Sequence, residues 1–69
     1  MSVATDGQVI RVAGVEAVDV EVYSIAGALV GKSNGTNEVD LGGNAAGIYI
    51  VKVIDVEGST HVAKISYRN

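Results

Sequence analysis

The residues of this chain that could do chemistry are few, and their types and spacing do not assemble into a reactive centre. His61 is the sole histidine and there is no cysteine. General acid–base or nucleophilic catalysis needs a second group within hydrogen-bond reach. A lone histidine on a strand beside a turn, with no paired base, reads as a surface or edge residue. Ser2, Ser24, Ser33, Ser59 and Ser66 fall in turns or on strand faces, and none has G-x-S-x-G surroundings. Glu38 and Asp40 lie two apart on one strand and share a face, as do Asp19 and Glu21. Either pair could approach a cation, but a solvated outer face accounts for both. Gly42-Gly43 lacks the flanking glycines or lysine of a phosphate loop, and Asn34-Gly35-Thr36, although it fits an N-glycosylation acceptor, is explained by turn chemistry. The expectation is no enzyme, no catalytic residue, no metal ligand and no cofactor.

With 69 residues the chain has room for one core, so residues 1–69 are read as a single domain. A domain of this size buries only about 60% of the surface its unfolded chain exposes. Without disulfides or Cys/His zinc ligands, packing alone must hold it. Hydrophobic residues make up 48% of the chain, with three tyrosines and no Phe or Trp, so the core must be mainly Val, Ile, Leu and Ala. That apolar content argues against disorder. The net charge of −3, with Arg11, Lys32, Lys52, Lys64 and Arg68 scattered along the chain, argues against nucleic acid. Lys52 interrupts the longest apolar run, which excludes a transmembrane span there. Residues 1–7 have neither the charged start nor the apolar stretch of a signal peptide, and Met1 reads as the start of a domain excised from a longer protein.

The elements follow from period-two patterning. Val18-Asp19-Val20-Glu21-Val22-Tyr23 alternates strictly, which predicts a strand with Val18, Val20 and Val22 inward and Asp19, Glu21 and Tyr23 outward or at an edge. Val9–Val12 predicts a shorter strand before it, ending near Gly14. Residues 25–28 predict a tight turn into Leu29-Val30. Asn34-Gly35 is the strongest hairpin signal, leading into a strand over 37–41 with Val39 and Leu41 inward. Ala45-Ala46 suggests one helical turn. Gly47–Asp55 reads as a central strand buried on both faces or nearly so, because it is an almost unbroken β-branched and aromatic run. A closing hairpin through Glu57-Gly58 pairs it with 59–67, placing Ala63, Ile65 and Tyr67 inward, with Val62 outside that pattern. Residues 1–8 are an edge strand or a frayed tail. No helical stripe is present. The predicted fold is all-β, a small immunoglobulin-like antiparallel sandwich of six or seven strands, whose last strand runs to the end of the chain.

Three segments resemble a known family. Val20-Glu21-Val22-Tyr23-Ser24-Ile25-Ala26-Gly27-Ala28-Leu29-Val30 is similar to the V-x-I-Y-D-L-x-G-x-L-V segment of the C-terminal sorting domain of the bacterial type IX secretion system. Val39-Asp40-Leu41 followed by Ala46-Gly47-Ile48-Tyr49-Ile50-Val51-Lys52-Val53 resembles its I-D-L … A-G-x-Y-I-V-K-V block, and Gly58 with Lys64-Ile65-Ser66 its closing G … K-I-x-V strand. The resemblance covers residues 9–69 in order and spacing. Ser24 stands where the family commonly has Asp, and Asn44 where an apolar residue usually precedes the A-G-x-Y block.

The resemblance implies a signal domain of Bacteroidetes-type bacteria. It would be fused to an upstream cargo, folded in the periplasm, and read by the outer-membrane secretion machinery. A sortase-like peptidase would then remove it, leaving the cargo on the outer membrane or cell surface, or released. Recognition is placed on Gly47, Tyr49, Lys64, Ile65, Tyr67 and Arg68, with Lys64–Asn69 as the segment read. Gly47 is expected to allow positive φ or close backbone approach, or to serve as an ordinary turn residue. Lys64 is either a recognition contact or a charge that discourages edge-to-edge pairing. The rival readings are a sandwich module binding carbohydrate or protein, with Tyr23, Tyr49 and Tyr67 as its only aromatic platforms, and a spacer domain. An apolar edge also raises weak homodimerisation.

Overall fold

The computed structural model describes residues 1–33 and 35–68, without the side chain of Val18. Seven strands form: β1 (Ser2–Asp6), β2 (Val9–Ala13), β3 (Ala17–Ser24), β4 (Leu29–Lys32), β5 (Glu38–Asp40), β6 (Gly47–Asp55) and β7 (Thr60–Tyr67). They make two antiparallel sheets, ordered β1-β2-β5 and β4-β3-β6-β7. This is a small sandwich with the immunoglobulin-like order, the fourth strand lying beside the third rather than beside the fifth. Ser2–Asp6 pairs with β2 as an edge strand.

The alternation read in the sequence sets the core. Ile10, Val12, Val39 and Leu41 from one layer meet Val20, Val22, Tyr49, Val51, Val53 and Tyr67 from the other. Each such side chain contributes about 1.5–3 kcal/mol when fully buried. Asp19, Glu21 and Tyr23 lie on the opposite face of β3, half-buried. Val18, expected inward, lies outside the described side chains.

Four expectations are corrected. The Asn34-Gly35 hairpin does not form, because β4 and β5 belong to different sheets; Asn34 itself, and with it the acceptor motif, lies outside the described residues. Each end of that connection is claimed by a different layer. Buried Ser33 donates its N–H to the Val20 carbonyl at 2.8 Å and accepts from the Val20 N–H through Oγ at 2.9 Å. Asn37 is bound to β2, accepting the Val12 N–H at 2.9 Å and donating Nδ2 to the Val12 carbonyl at 3.2 Å. The helical turn at Ala45-Ala46 is absent too, since the Ala45 carbonyl is taken by the Tyr49 hydroxyl at 2.6 Å.

β6 is central but not buried on both faces. Tyr49, Val51 and Val53 are buried, while Ile48 is exposed and Ile50, Lys52 and Ile54 are only half-covered. Among the described residues no second layer packs on that side. Val62, the residue that did not fit, sits on this same outer face at 65% exposure.

Of the two roles expected at Gly47, positive φ is met there, while the close approach occurs instead at Gly31. Gly47 has φ 158° and nothing within 4 Å of where a Cβ would stand. At Gly31 a Cβ would lie 2.6 Å from Val39 Cγ1 and 3.2 Å from Leu41 Cδ2, because β4 here crosses directly over the other sheet. Gly31→Val overpacks this junction and should cost about 1–3 kcal/mol. For a domain this small each kcal/mol lowers the melting midpoint by roughly 4–8 °C. Calorimetry checks this, and an unchanged midpoint would mean the layers can separate freely there.

Candidate functional site

The hairpin of β6 and β7 carries the segment singled out in the sequence. Its register pairs Gly47 with Tyr67, Tyr49 with Ile65, Ile50 with Lys64 and Lys52 with Val62. The turn is organised by one carboxylate. Asp55 Oδ1 accepts the backbone N–H groups of Glu57 and Ser59, both at 2.9 Å, and Oδ2 lies 2.8 Å from His61 Nε2. The lone histidine therefore braces a turn. His61, followed by the Ser59 and Glu57 amides, holds the Asp55 carboxyl below its usual pKa, against a smaller opposing effect of burial.

The six residues assigned to recognition divide by face. Tyr49, Ile65 and Tyr67 point inward: the two tyrosines are core residues in edge-to-face contact, centroids 5.9 Å apart, and Ile65 packs against that core half-buried. The Tyr67 hydroxyl donates to the Leu41 carbonyl at 3.3 Å. Lys64 and Arg68 are exposed. Gly47 opens β6 and is exposed, paired with Tyr67 across the ladder. Asn69 lies outside the described residues.

The sequence reading missed what surrounds Lys64. Cross-strand register aligns Lys32, Glu21, Lys52 and Val62 in one row of the outer face, and Leu29, Tyr23, Ile50 and Lys64 in the next. The Tyr23 hydroxyl donates to Glu21 Oε1 at 3.0 Å, a bond that raises the phenol pKa. Leu29, Ile48 and Val62 on this face are exposed large apolar residues. Its signal in the sequence is the apolar character of Ile48, Ile50 and Ile54 on β6, which reads there as burial on both faces. The outer face of the three-stranded sheet is different: Arg11 lies 3.5 Å from Asp6 and 3.6 Å from Glu38, and Glu38 and Asp40 are exposed, a solvated polar face.

Among the described residues no three metal-ligating side chains come together and no pocket opens. The family model of the secretion system C-terminal sorting domain matches residues 4–67, from within β1 to the end of β7. The chain belongs to that family. Neither a curated protein nor a solved structure matches it. The sorting domain is thus a type IX secretion signal, a class that is generally non-catalytic. It implies a fused cargo, contact with the secretion machinery and passage across the outer membrane to the surface. No helix among the described residues is long and apolar enough to cross a membrane.

The Asp55 clasp makes the hairpin of the sorting domain acid-sensitive. A depressed folded pKa contributes stability above the unfolded value of about 3.9, and that stability is lost as pH falls through the folded value. Asp55→Asn should therefore lower the melting midpoint at about pH 7, and the gap to the parent should close at an acid pH below the depressed carboxyl pKa. Thermal melts at the two pH values test this; a gap that persists in acid would show that charge on Asp55 is not what closes the turn.

Proposed function

We propose that this domain acts as a folded, non-catalytic tag, read through exposed side chains at the end of β7 and afterwards cut off by a sortase-like peptidase. The observation that carries the reading is the family match across the whole sandwich together with the outward placement of Lys64 and Arg68. Charged side chains at such a rim steer encounter and fix register more than they supply affinity. Lys64 can meanwhile discourage edge-to-edge pairing of β7, so the two roles considered for it are compatible. The binding-module reading has less support, because two of its three aromatic platforms, Tyr49 and Tyr67, are in the core.

The test is surface export of a reporter. A signal peptide and a fluorescent cargo precede these 69 residues, expressed in a type IX-competent bacterium and in its translocon-deficient mutant. Cargo is expected on the surface in the first strain and trapped in the periplasm in the second. Periplasmic cargo in both, with the domain folded, would overturn the sorting role. Lys64→Glu with Arg68→Glu should reduce export while leaving the melting midpoint nearly unchanged. Removing residues 67–69 would not discriminate, since Tyr67 is 1% exposed and its loss opens the core.

A further inference from the structure

The lysines, scattered in sequence, are gathered by the fold. Lys32, Lys52 and Lys64 all lie on the outer face of the four-stranded sheet, on three different strands. Against Asp19 and Glu21 on the same face, they leave it one charge positive. Arg11 and Arg68 against six carboxylates leave the rest of the chain four charges negative. The positive face is also the apolar one, through Leu29, Ile48, Ile50 and Val62. Three strands of eight or nine residues and β4 of four, at about 3.3 Å per residue and about 4.8 Å apart, give a face of about 450 Å² in projection. That is on the scale of the roughly 800 Å² of accessible surface one partner gives to a standard interface.

We propose that this whole sheet face, and not the end of β7 alone, docks on an acidic protein surface with an apolar centre, carried by a component of the outer-membrane secretion machinery. The proposal rests on the sorting role. The three lysines would pair with carboxylates of the partner while Ile48, Ile50 and Val62 bury against its apolar centre. Charge selects this occupant over the others. The row Lys32–Glu21–Lys52 alternates in sign, so its complement is a fixed arrangement of opposite charges, which a protein can present. An anionic lipid surface would meet Glu21 and Asp19 with like charge. A second copy stacked face to face would bring six lysines against four carboxylates, leaving the contact net positive.

Two double variants test the face without touching the end of β7: Ile48→Ser with Val62→Ser, and Lys32→Gln with Lys52→Gln. Arg11→Gln, on the other sheet, is the control. Each is fused to the exported reporter and its melting midpoint measured on the isolated 69-residue domain. Surface cargo is expected to fall about tenfold for each folded double variant and to stay at the parent level for the control. Should one double variant unfold, the other decides. Undiminished export of a folded double variant would overturn the proposal while leaving the sorting role intact. Failure of the parent fusion itself to reach the surface would remove the sorting role, and this proposal with it. Sedimentation of the parent as a dimer that the variants lose would assign the face to a second copy. Parent binding to phosphatidylglycerol-containing vesicles that the variants lose would assign it to lipid. Either result overturns the proposal.

Discussion

Two tyrosine hydroxyls hold the joint on which this sandwich depends. Between β5 and β6 the chain leaves one layer and joins the other, through residues 41–46 that belong to neither ladder. Tyr49, near the start of β6, reaches back to the Ala45 carbonyl, and Tyr67, at the end of β7, reaches across to that of Leu41. Backbone carbonyls at the rim of a core must find donors or lose the hydrogen bonds that water would give. Here Tyr49 serves Ala45, and Tyr67 joins the Asn44 N–H, 3.0 Å away, on Leu41; the two are the largest side chains in the core, and their rings also fill the end of a space otherwise occupied by Val, Ile and Leu. Sheet closure and loop anchoring are thus one event, as in the tyrosine corner of immunoglobulin-like sandwiches.

This arrangement constrains how such a domain can be read. β7 alternates: Ala63, Ile65 and Tyr67 turn toward the core, while Val62, Lys64 and Ser66 turn away. The strand therefore presents its outward residues in register only when its inward ones are packed. A partner that recognises the outward set recognises the folded state. An unfolded tail of the same sequence would offer the same lysine without its neighbours on β3 and β6, and the ordering cost would fall on binding.

Much of the fold was legible because one face of each sheet is buried, and burial of one face writes itself as period-two alternation. Val20 and Val22, Val39 and Leu41, and the inward set of β7 were all readable on that ground. What failed was what alternation does not encode. Asn34-Gly35 carries hairpin chemistry, but Ser33 and Asn37 are each bonded to a different sheet, and those partners are 13 and 25 residues away in sequence. The need for a missing Cβ at Gly31 arises from Val39 on another layer, which no local pattern in the sequence shows. Even the clear β6 signal misled in one respect. A run apolar at nearly every position predicts burial on both sides, whereas Ile48, Ile50 and Ile54 face outward, with no layer of the described residues over them.

The candidate surface was the least legible part, and the reason is geometric. Lys32, Lys52 and Lys64 are 20 and 12 residues apart, a spacing that looks random along the chain. Antiparallel register converts it into proximity: Glu21 stands opposite both Lys32 and Lys52, and Lys64 lies opposite Ile50, two residues before Lys52 on β6. The same register fixes which isoleucines share that face. A small sandwich has no need to leave apolar side chains uncovered on a sheet that could have carried Thr or Ser at those positions, as β7 does at Thr60 and Ser66. Uncovered apolar area lowers solubility and adds nothing to the core. Its retention beside the only three lysines, on the face opposite the acidic sheet, is therefore better accounted for by binding than by folding.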